Sequence, residues 1–343
     1  MPLPPLRFRA SALLTVAVAA ALVVGALGGC ASQSVAPSAA PATTSASPTP
    51  PPPPPTTLLS GRVGRDHRVL AVKIDNTVNS HPQSGLMSAD LVYLEEVEWG
   101  LTRMVAVFSS RYPKTVGPVR SARVTDIDLL HQFGKVAFAY AGATGALKPF
   151  LAAAPLYQVS SDLGPAGYRR SSDRIAPWNL YASPKALLRR APRAQKPRDV
   201  GFTFAKEVPP GGRPVKSVTV TWPSSIERFR WSPKAGRWLL WTDGAKAMST
   251  EGPQLGGTTV IVQLADVYPS VYGDKFGGVT PMTETVGRGK ALVLRNGRVY
   301  HVDWVRHSAA QGTRWLYRGS DLPMAPGQVW IALLDNDRRP TLR

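Results

Sequence analysis

Two different spacings of hydrophobic residues divide this chain, and the first runs through residues 62–200. Residues 68–74 are a continuous apolar run with β-branched side chains, which predicts a buried strand. Residues 91–97 and 102–109 predict two further strands on the same grounds. Apolar positions in residues 124–133 recur at helical spacing, so a helix should follow. This alternation of strands and helices is typical of a mixed α/β domain.

The second spacing, an alternation with a period of two, begins beyond a proline-rich stretch at residues 191–214. Residues 215–222 alternate in this way, and Asn296-Gly297 separates two alternating runs, the strongest short signal for a β-hairpin. We therefore expect an α+β fold, in which an N-terminal mixed α/β domain (62–200) packs with a mostly antiparallel, β-rich C-terminal domain (201–343).

The chain begins with the pattern of a secretory signal peptide, residues 1–29. Arg7 and Arg9 precede an apolar run that ends in small residues, and Cys30 follows directly. The chain's single cysteine, so placed, resembles the lipidation site of bacterial lipoproteins. We therefore predict an extracytoplasmic protein held on the outer face of the cell membrane by acyl chains, such as palmitate, on Cys30. An uncleaved membrane anchor is the alternative, and it would leave the protein on the same side.

A spacer follows the signal peptide, over residues 30–61. Its residues 31–57 carry no charge and include six consecutive prolines, Pro50–Pro55. Such a composition cannot build a core and favours a disordered or polyproline linker. Its role would be to hold the folded part away from the membrane.

The chain is strongly basic, with 41 Lys and Arg against 22 Asp and Glu and a net charge of +19. Such a field favours anionic partners in general, including teichoic-type polymers, lipid head groups and nucleic acid. The predicted location argues against nucleic acid. We expect instead an anionic envelope polymer or a lipid-linked precursor, with an envelope protein as a further candidate partner.

The sequence VGPVRSAR, residues 116–123, is the main candidate for a binding site. Arg120 and Arg123 flank Ser121 where an extended stretch meets the helical run. A turn that opens into a helix presents free backbone N–H groups, and two guanidiniums there can add forked hydrogen bonds to a phosphate or carboxylate. The alternative is that both arginines pair with neighbouring acidic residues and have a structural role only.

Other polar side chains at strand ends and in loops could complete this site. Asp75 and Asn76 end the first predicted strand, a position where loops often carry chemistry. Within this set the aspartate would orient an arginine, while asparagine and tyrosine side chains would supply neutral hydrogen bonds. The full set of additional candidates is Asp75, Asn76, Glu96, Arg103, Asp126, Arg174, Asn179 and Tyr181.

Motifs for catalysis are missing from the sequence. It contains neither H-E-x-x-H nor G-x-S-x-G, and its five histidines are too scattered to favour zinc. A single cysteine that is expected to carry lipid leaves none for cysteine-based transpeptidation. We predict no cofactor and no metal, and the sequence favours a non-enzymatic role. The remaining enzymatic option is paired carboxylates: Asp75, Glu96 and Asp126 could converge, and Glu96 or Asp126 would serve in general acid–base hydrolysis of a glycan.

In combination, several stretches of this chain resemble the YerB-like family of bacterial envelope lipoproteins, whose conserved region is a two-part domain of unknown function. The resemblance implies an α+β envelope lipoprotein and supplies no activity. The stretches that carry it are LAVKIDN (70–76), HPQSGLMSADLVYLEEVEWGLTRMVAVF (81–108), VGPVRSAR (116–123), DRIAPWNLY (173–181), TVGRGKALVLRNGR (285–298) and PGQVWIALL (326–334).

One position departs from the family pattern. The loop at residues 174–181 has Trp178 where the family pattern R-x-A-P-H-N-L-Y has a histidine. Any role of that histidine as acid, base or ligand is therefore lost in this chain.

Three hypotheses follow from the sequence. The first is a membrane-anchored protein that binds an anionic envelope ligand through an arginine-rich cleft. The second is an envelope glycan- or peptidoglycan-processing enzyme that uses paired carboxylates. The third is a scaffold or regulator of another envelope protein, which an exposed aromatic patch within residues 215–334 would support.

Overall fold

One long mixed sheet runs through both halves of the chain in the computed structural model, which describes residues 54–343. The predicted signal peptide, the lipidation site at Cys30 and most of the predicted spacer lie outside the described residues. The spacer prediction is wrong at its C-terminal end, because Leu59 is fully buried and Ser60 donates a hydrogen bond to Asp90. An apolar side chain and a hydroxyl with buried partners fix this segment to the fold.

The first half contains seven strands and all three α-helices of the described residues. Single-turn 3-10 helices lie at Val78–Ser80, Leu86–Ser88, Glu98–Gly100 and Gly145–Leu147. In chain order the strands and α-helices are β1 (Leu70–Asp75), β2 (Leu91–Glu96), β3 (Thr102–Phe108), α1 (Thr125–His131), β4 (Val136–Ala139), α2 (Lys148–Ala153), β5 (Leu156–Gln158), β6 (Tyr168–Arg170), β7 (Leu180–Ala182) and α3 (Pro184–Arg190).

The second half consists of strands and their connections. In chain order these are β8 (Arg213–Pro214), β9 (Ser217–Trp222), β10 (Ser225–Ser232), β11 (Arg237–Thr242), β12 (Ala245–Lys246), β13 (Gly256–Gly257), β14 (Thr259–Ala265), β15 (Val267–Gly273), β16 (Val279–Thr283), β17 (Gly287–Arg295), β18 (Arg298–Arg306), β19 (Arg314–Tyr317), β20 (Ser320–Asp321), β21 (Val329–Asp335) and β22 (Thr341–Leu342).

The two halves join within the sheet, and not only by packing. The strand order is β20-β19-β18-β17-β14-β21-β2-β3-β1-β4-β5, with β8 added beside β18. Strand β21 runs parallel to β14 on one side and to β2 on the other, so C-terminal and N-terminal residues share one ladder of hydrogen bonds. A separate sheet, β12-β11-β10-β9-β22 with β13 beside β11, covers part of one face.

The layers follow from the period-two burial of the central strands. On β1, Leu70, Val72 and Ile74 pack towards the smaller sheet, which contributes Phe229 and Trp238 to the same core. The intervening side chains face the opposite core, which α1 and α2 cover with Leu129, Leu130, Phe133 and Leu151. The long sheet is therefore sandwiched between a second sheet and a thin helical layer, and its central strands are buried on both faces.

Elements that the pattern predicted are found close to their expected places. The helix predicted at residues 124–133 is α1, and the hairpin predicted around Asn296-Gly297 is the pair β17 and β18. The α+β prediction is confirmed only in its coarser form, because the protein is strand-rich with a mixed sheet and its helices are short. The boundary near residue 200 stays a prediction. Across residues 54–343, no helix combines the length and apolarity that spanning a bilayer requires.

A buried hydrogen-bond network ties the smaller sheet to the end of β1. The Asn76 amide donates to Glu227 Oε1 at 2.7 Å and to Thr102 Oγ1 at 2.8 Å, and Thr242 donates to Glu227 Oε2 at 2.7 Å. Burial raises the pKa of Glu227 to about 8, against the opposing effect of the hydrogen bonds from Thr242 and Asn76. Glu227 is therefore protonated at neutral pH in the folded protein.

We expect Glu227→Gln to flatten the dependence of the free energy of unfolding on pH between about pH 5 and 8. The folded-state pKa of about 8 lies above the unfolded value of about 4.3. The native state therefore holds the extra proton across this window, and wild-type stability falls as pH rises through it. The amide mimics the protonated acid, so the variant should be more stable by on the order of 1–3 kcal/mol at pH 8.

Urea unfolding at several pH values measures this effect. The exposed Glu207→Gln is the matched control and should keep the wild-type slope. An unchanged slope in Glu227→Gln would show that this carboxyl is already ionised in the folded protein.

Candidate functional site

The segment 116–123 is held on both sides by backbone hydrogen bonds. Val119 N donates to Leu180 O at 2.7 Å, and Arg120 N donates to Lys73 O at 2.9 Å. Further along, Ala122 N donates to Gly142 O at 3.0 Å. The segment is thus held between the end of β1, the loop after β4 and strand β7. Its arginine side chains project from a backbone that these hydrogen bonds fix in place.

A third arginine reaches the same place from the sheet. Arg103 lies on β3, where its Cα is paired with Asp75 of β1 on one side and Glu95 of β2 on the other. Its side chain is directed to the face covered by α1 and α2, since Met104 faces the other core. Arg103 Nη1 donates to Ser121 O at 3.2 Å, which brings the strand and the segment together.

These arginines line a cleft with a volume of about 730 Å³. Four cationic side chains and two carboxylates contribute to its walls, together with small and apolar residues from four separate segments. Its charged residues are Arg103, Arg120, Arg123, Lys275, Glu98 and Asp274, and its other lining residues include Ser121, Thr144, Leu147, Ala176, Pro177, Tyr272, Phe276 and Thr280.

Two of the three arginines have carboxylate partners. Arg120 Nε lies 2.5 Å from Asp75 Oδ2, which agrees with the expectation that Asp75 orients an arginine. Arg123 Nη2 lies 2.6 Å from Glu98 Oε2. Burial alone would raise the pKa of Glu98, but the hydrogen bond and positive charge of Arg123 lower it overall, with help from Thr280.

Arg103 is the exception. Within residues 54–343, no carboxylate oxygen comes within 4.0 Å of its guanidinium, although the residue is only 8% exposed. Burial, followed by the charges of Arg123 and Arg120, lowers the pKa of Arg103 to about 9. A cation that is buried beside two others is an unfavourable arrangement unless an anion completes it.

The start of α1 does not provide the open ring of N–H donors that the sequence suggested. Helix α1 has only seven residues, and Asp126 Oδ2 accepts a hydrogen bond from Arg123 N at 2.6 Å. A side chain of the helix itself therefore already occupies one N–H group at this point, and a ligand on the remaining helical N–H groups stays a prediction. The guanidiniums are the charged donors of this cleft.

Beneath the cleft, Lys73 neutralises two carboxylates in the dry interior. Its ammonium contacts Glu95 Oε1 and lies 2.7 Å from Asp126 Oδ1, and all three side chains are fully buried. Burial, and next the charge of Asp126, raise the pKa of Glu95, while Lys73 opposes the shift. Both acids are bonded directly to Lys73, and among the described residues neither lies within 4.0 Å of an arginine guanidinium, although the charge of Arg123 also acts on Glu95.

A two-stranded arm overhangs the arginines, consisting of β15, β16 and the loop 274–278. Trp99 Nε1 donates to Asp274 Oδ2 at 3.1 Å, and Thr280 donates to Glu98. Gly278 permits this contact, since a Cβ there would lie 2.5 Å from Trp99 Nε1. The arm therefore belongs to the cleft wall and brings residues of the second half to arginines of the first.

The structure separates the predicted site residues into two groups. Arg103, Arg120, Ser121 and Arg123 line the cleft, and Asp75 contacts it through Arg120. The other predicted residues do not line it, namely Asn76, Glu96, Asp126, Arg174, Asn179 and Tyr181.

Five of the six residues in the second group have another role in the fold, Glu96 being the exception. Arg174 donates to the carbonyl groups of Ser80 and Pro82. Asn179 accepts from Arg170 at 2.7 Å. Tyr181 is buried with its ring beneath the Arg169 guanidinium, at 5.7 Å from the ring centroid. In the family-loop position, Trp178 Nε1 donates to Thr77 Oγ1 at 2.9 Å, so the indole has a structural hydrogen bond.

Sequence reasoning missed Glu98 and the whole arm. Glu98 lies just beyond β2, in a 3-10 turn that strand periodicity does not place. The available signal for the arm was Gly277-Gly278 between two short runs, a composition typical of a hairpin turn. No group of His, Cys, Asp or Glu within residues 54–343 is arranged to hold a metal ion.

The fold and cleft define a strand-rich protein in which two sequence regions share one sheet, and both regions match a known family. Residues 56–197 match the N-terminal domain, and residues 218–331 the C-terminal domain, of a protein of unknown function, DUF3048. Together these regions cover most of the chain, so this protein belongs to the DUF3048 family.

A relative in Bacillus subtilis (strain 168) carries the name "Putative lipoprotein YerB". It is 26% identical over 286 residues, which is 78% of this chain and 82% of the relative. A crystal structure of the YerB protein from Bacillus subtilis superposes with a TM-score of 0.72 at 23% identity, covering 84% of this chain and 99% of that chain. The resemblance to the YerB-like family is confirmed, and the structural likeness shows a shared fold.

We expect Lys73→Met to lower the free energy of unfolding by on the order of 3–5 kcal/mol at neutral pH. The substitution keeps most of the side-chain volume but leaves Glu95 and Asp126 together in a dry interior without a cation. Denaturant unfolding measures the change.

The control for that variant is Lys290→Met, which removes an ion pair with Asp303 on the exposed surface. Solvent screens this pair, so the control should leave stability nearly unchanged. Equal, small effects of both substitutions would contradict the assignment of Lys73 as the counter-charge of the two acids.

Proposed function

We propose that this protein binds an anionic ligand of the cell envelope through the arginine cleft, as a lipoprotein anchored to the outer face of the cell membrane. The name of its relative YerB supports the lipoprotein part, together with the signal-peptide pattern before Cys30. The observation that carries the binding proposal is Arg103, a buried guanidinium without a carboxylate partner among the described residues.

The composition of the cleft supports a phosphate-type group over a carboxylate. Three guanidiniums with planar, forked donors converge on one space, and phosphate oxygens can accept such forks on several sides. Arg123 Nε is buried and has no hydrogen-bond partner within residues 54–343, so the protein does not satisfy all the donors of this guanidinium. A ligand with one or two phosphoryl groups would match these donors.

The carboxylates at the cleft determine which of the three arginines an anionic ligand would gain most from. Glu98 and Asp75 hold Arg123 and Arg120 in place, and each leaves its arginine with donors not used in the pair. Because these acids are already paired, they orient the guanidiniums and repel little of the incoming charge. An anion would thus gain most from Arg103, which has no carboxylate within 4.0 Å among the described residues and feels the charges of Asp75 and Glu98 only from further away.

The enzymatic alternative gains no support from this arrangement. Asp126 is bonded to Lys73 in the interior, and Glu96 lies outside the cleft, so the two carboxylates cannot act together on a glycan there. The scaffold alternative retains one observation in its favour, the exposed Tyr268 and Phe276 on the arm.

We expect Arg103→Gln to weaken the binding of inorganic pyrophosphate by at least about tenfold, measured by titration calorimetry at low ionic strength. A charge-assisted hydrogen bond contributes about 1.5–3 kcal/mol, which is sufficient for this loss. The same variant should keep or raise the free energy of unfolding, because it removes a buried charge that lacks an acidic partner.

Arg314→Gln makes the same change of charge in an exposed pair with Asp321 and should bind as the wild type does. Arg120 and Arg123 are less suitable for this test, because removing either one leaves a buried carboxylate without its counter-charge. Wild-type affinity in Arg103→Gln, or no pyrophosphate binding by the unmodified protein, would refute the proposal.

A further inference from the structure

The entrance of the arginine cleft is apolar, although its floor is cationic. Phe276 lines it from the loop of the arm and is 73% exposed. Ile175 directly precedes Ala176 and Pro177 of the opposite sequence segment and is 74% exposed. Phe150 is also exposed and packs edge-on against Tyr272 of the lining, with 6.1 Å between ring centroids.

These side chains form what we call the apolar rim: Phe150, Ile175, Tyr272 and Phe276. Isolated exposed apolar residues are common on proteins, but here Tyr272 and Phe276 line the cleft, Phe150 packs on Tyr272, and Ile175 is next in the chain to the lining residues Ala176 and Pro177. Trp99, next to the rim, has φ 64° in the left-handed region, which costs a bulky residue on the order of 1–3 kcal/mol. The contact of Trp99 with Asp274 keeps the arm in place despite that cost.

A hydrophilic polyanion would derive no benefit from such an entrance. A polyphosphate or sugar-phosphate chain leaving the cleft would have to cross Phe276 and Ile175, where its polar groups find no partners. An apolar chain would instead cover these side chains and remove their surface from water. Among the described lining residues, the arm contributes one cation, Lys275, whose ammonium lies 4.9 Å from the centre of the Phe276 ring.

We propose, resting on the proposed function, that the ligand is a lipid phosphate. Its phosphate or pyrophosphate head is held by Arg103, Arg120 and Arg123, and its hydrocarbon chain leaves over the apolar rim. The arginines favour the charged phosphate head. Because apolar side chains adjoin the arginines in the same cleft, the site favours a molecule that carries both a phosphate and a hydrocarbon chain. The cleft volume of about 730 Å³ is large enough for the head and the first part of a chain.

Three probes separate the head from the chain: inorganic pyrophosphate is the head alone, farnesol the chain alone, and farnesyl pyrophosphate both. We expect the wild-type protein to bind farnesyl pyrophosphate at least about tenfold more tightly than pyrophosphate. This ratio corresponds to about 1.4 kcal/mol, less than the burial of two methylene groups provides. Farnesol should bind far more weakly than farnesyl pyrophosphate.

The rim variant Ile175→Ser with Phe276→Ser should bring the affinity for farnesyl pyrophosphate down to that for pyrophosphate, while pyrophosphate binding stays at the wild-type value. Both positions are exposed, so folding should be kept, and thermal unfolding checks this. Val63→Ser, at a 70% exposed position that does not line the cleft, is the control and should preserve the tenfold preference.

The outcomes separate this inference from the proposed function. Equal affinity of the wild type for pyrophosphate and farnesyl pyrophosphate would overturn the lipid assignment and leave anion binding intact. Equal affinity for farnesol and farnesyl pyrophosphate would overturn both. A preference that survives in the rim variant would also overturn the inference, and the apolar rim would then be available for a protein partner.

Discussion

Pairing of buried charges is the constraint on which this structure depends. The long sheet and the segment beside it bring Lys73, Asp75, Glu95 and Arg103 to one face, where water is largely excluded. Each ion there needs a counter-ion, since the cost of burying a charge exceeds that of losing most single contacts. Lys73 takes both interior acids, and Asp75 pairs with Arg120.

These ion pairs leave Arg103 without a carboxylate partner among the described residues. The acids nearest to it along the sheet, Asp75 and Glu95, are its neighbours in strand register, yet both are drawn away to other cations. The fold therefore maintains a positive site at a cost to stability, which is a pattern found where binding energy is later supplied by a ligand. The cleft therefore contains both acids and arginines and still keeps a positive charge, because Asp75 and Glu98 are paired with Arg120 and Arg123 while Arg103 has no acid in contact.

The joining of the two halves in one sheet gives the cleft its second wall. Strand β21 lies between β2 and β14, so the connection that follows β14 emerges beside the end of β2. That connection is the arm, and the 3-10 turn after β2 supplies Glu98 and Trp99 to hold it. Neither half alone contains the cleft, because the arginines belong to one and the overhanging loop to the other.

The sequence was informative where a local pattern determined the structure. Helix α3 begins at Pro184, in line with the preference of proline for the first helical position, and the Asn296-Gly297 turn joins two alternating strands. The arginines of residues 116–123 could be identified as cleft residues because glycine and proline mark a turn before them. Leu59 was missed because the uncharged composition before it hides a short segment whose burial depends on a distant core.

Long-range contacts explain why some predicted residues do not line the cleft. Asn76 lies just after a strand and Asp126 in the first turn of a helix, but the partners of both come from elsewhere in the chain. Asn76 bonds to Glu227, which lies 151 residues away, and Asp126 bonds to Lys73. The alternation of side chains along a strand predicts which face of the sheet a residue lies on. It does not predict which oppositely charged residue, distant in sequence, will pair with it on that face.

A crystal structure of the protein with pyrophosphate tests the central claim most directly. The account predicts phosphoryl oxygens at hydrogen-bond distance, about 2.7–3.2 Å, from the Arg103 guanidinium, with the Arg120–Asp75 and Arg123–Glu98 pairs preserved. A structure in which Arg103 pairs with a carboxylate of its own chain, while the anion binds elsewhere, would contradict it.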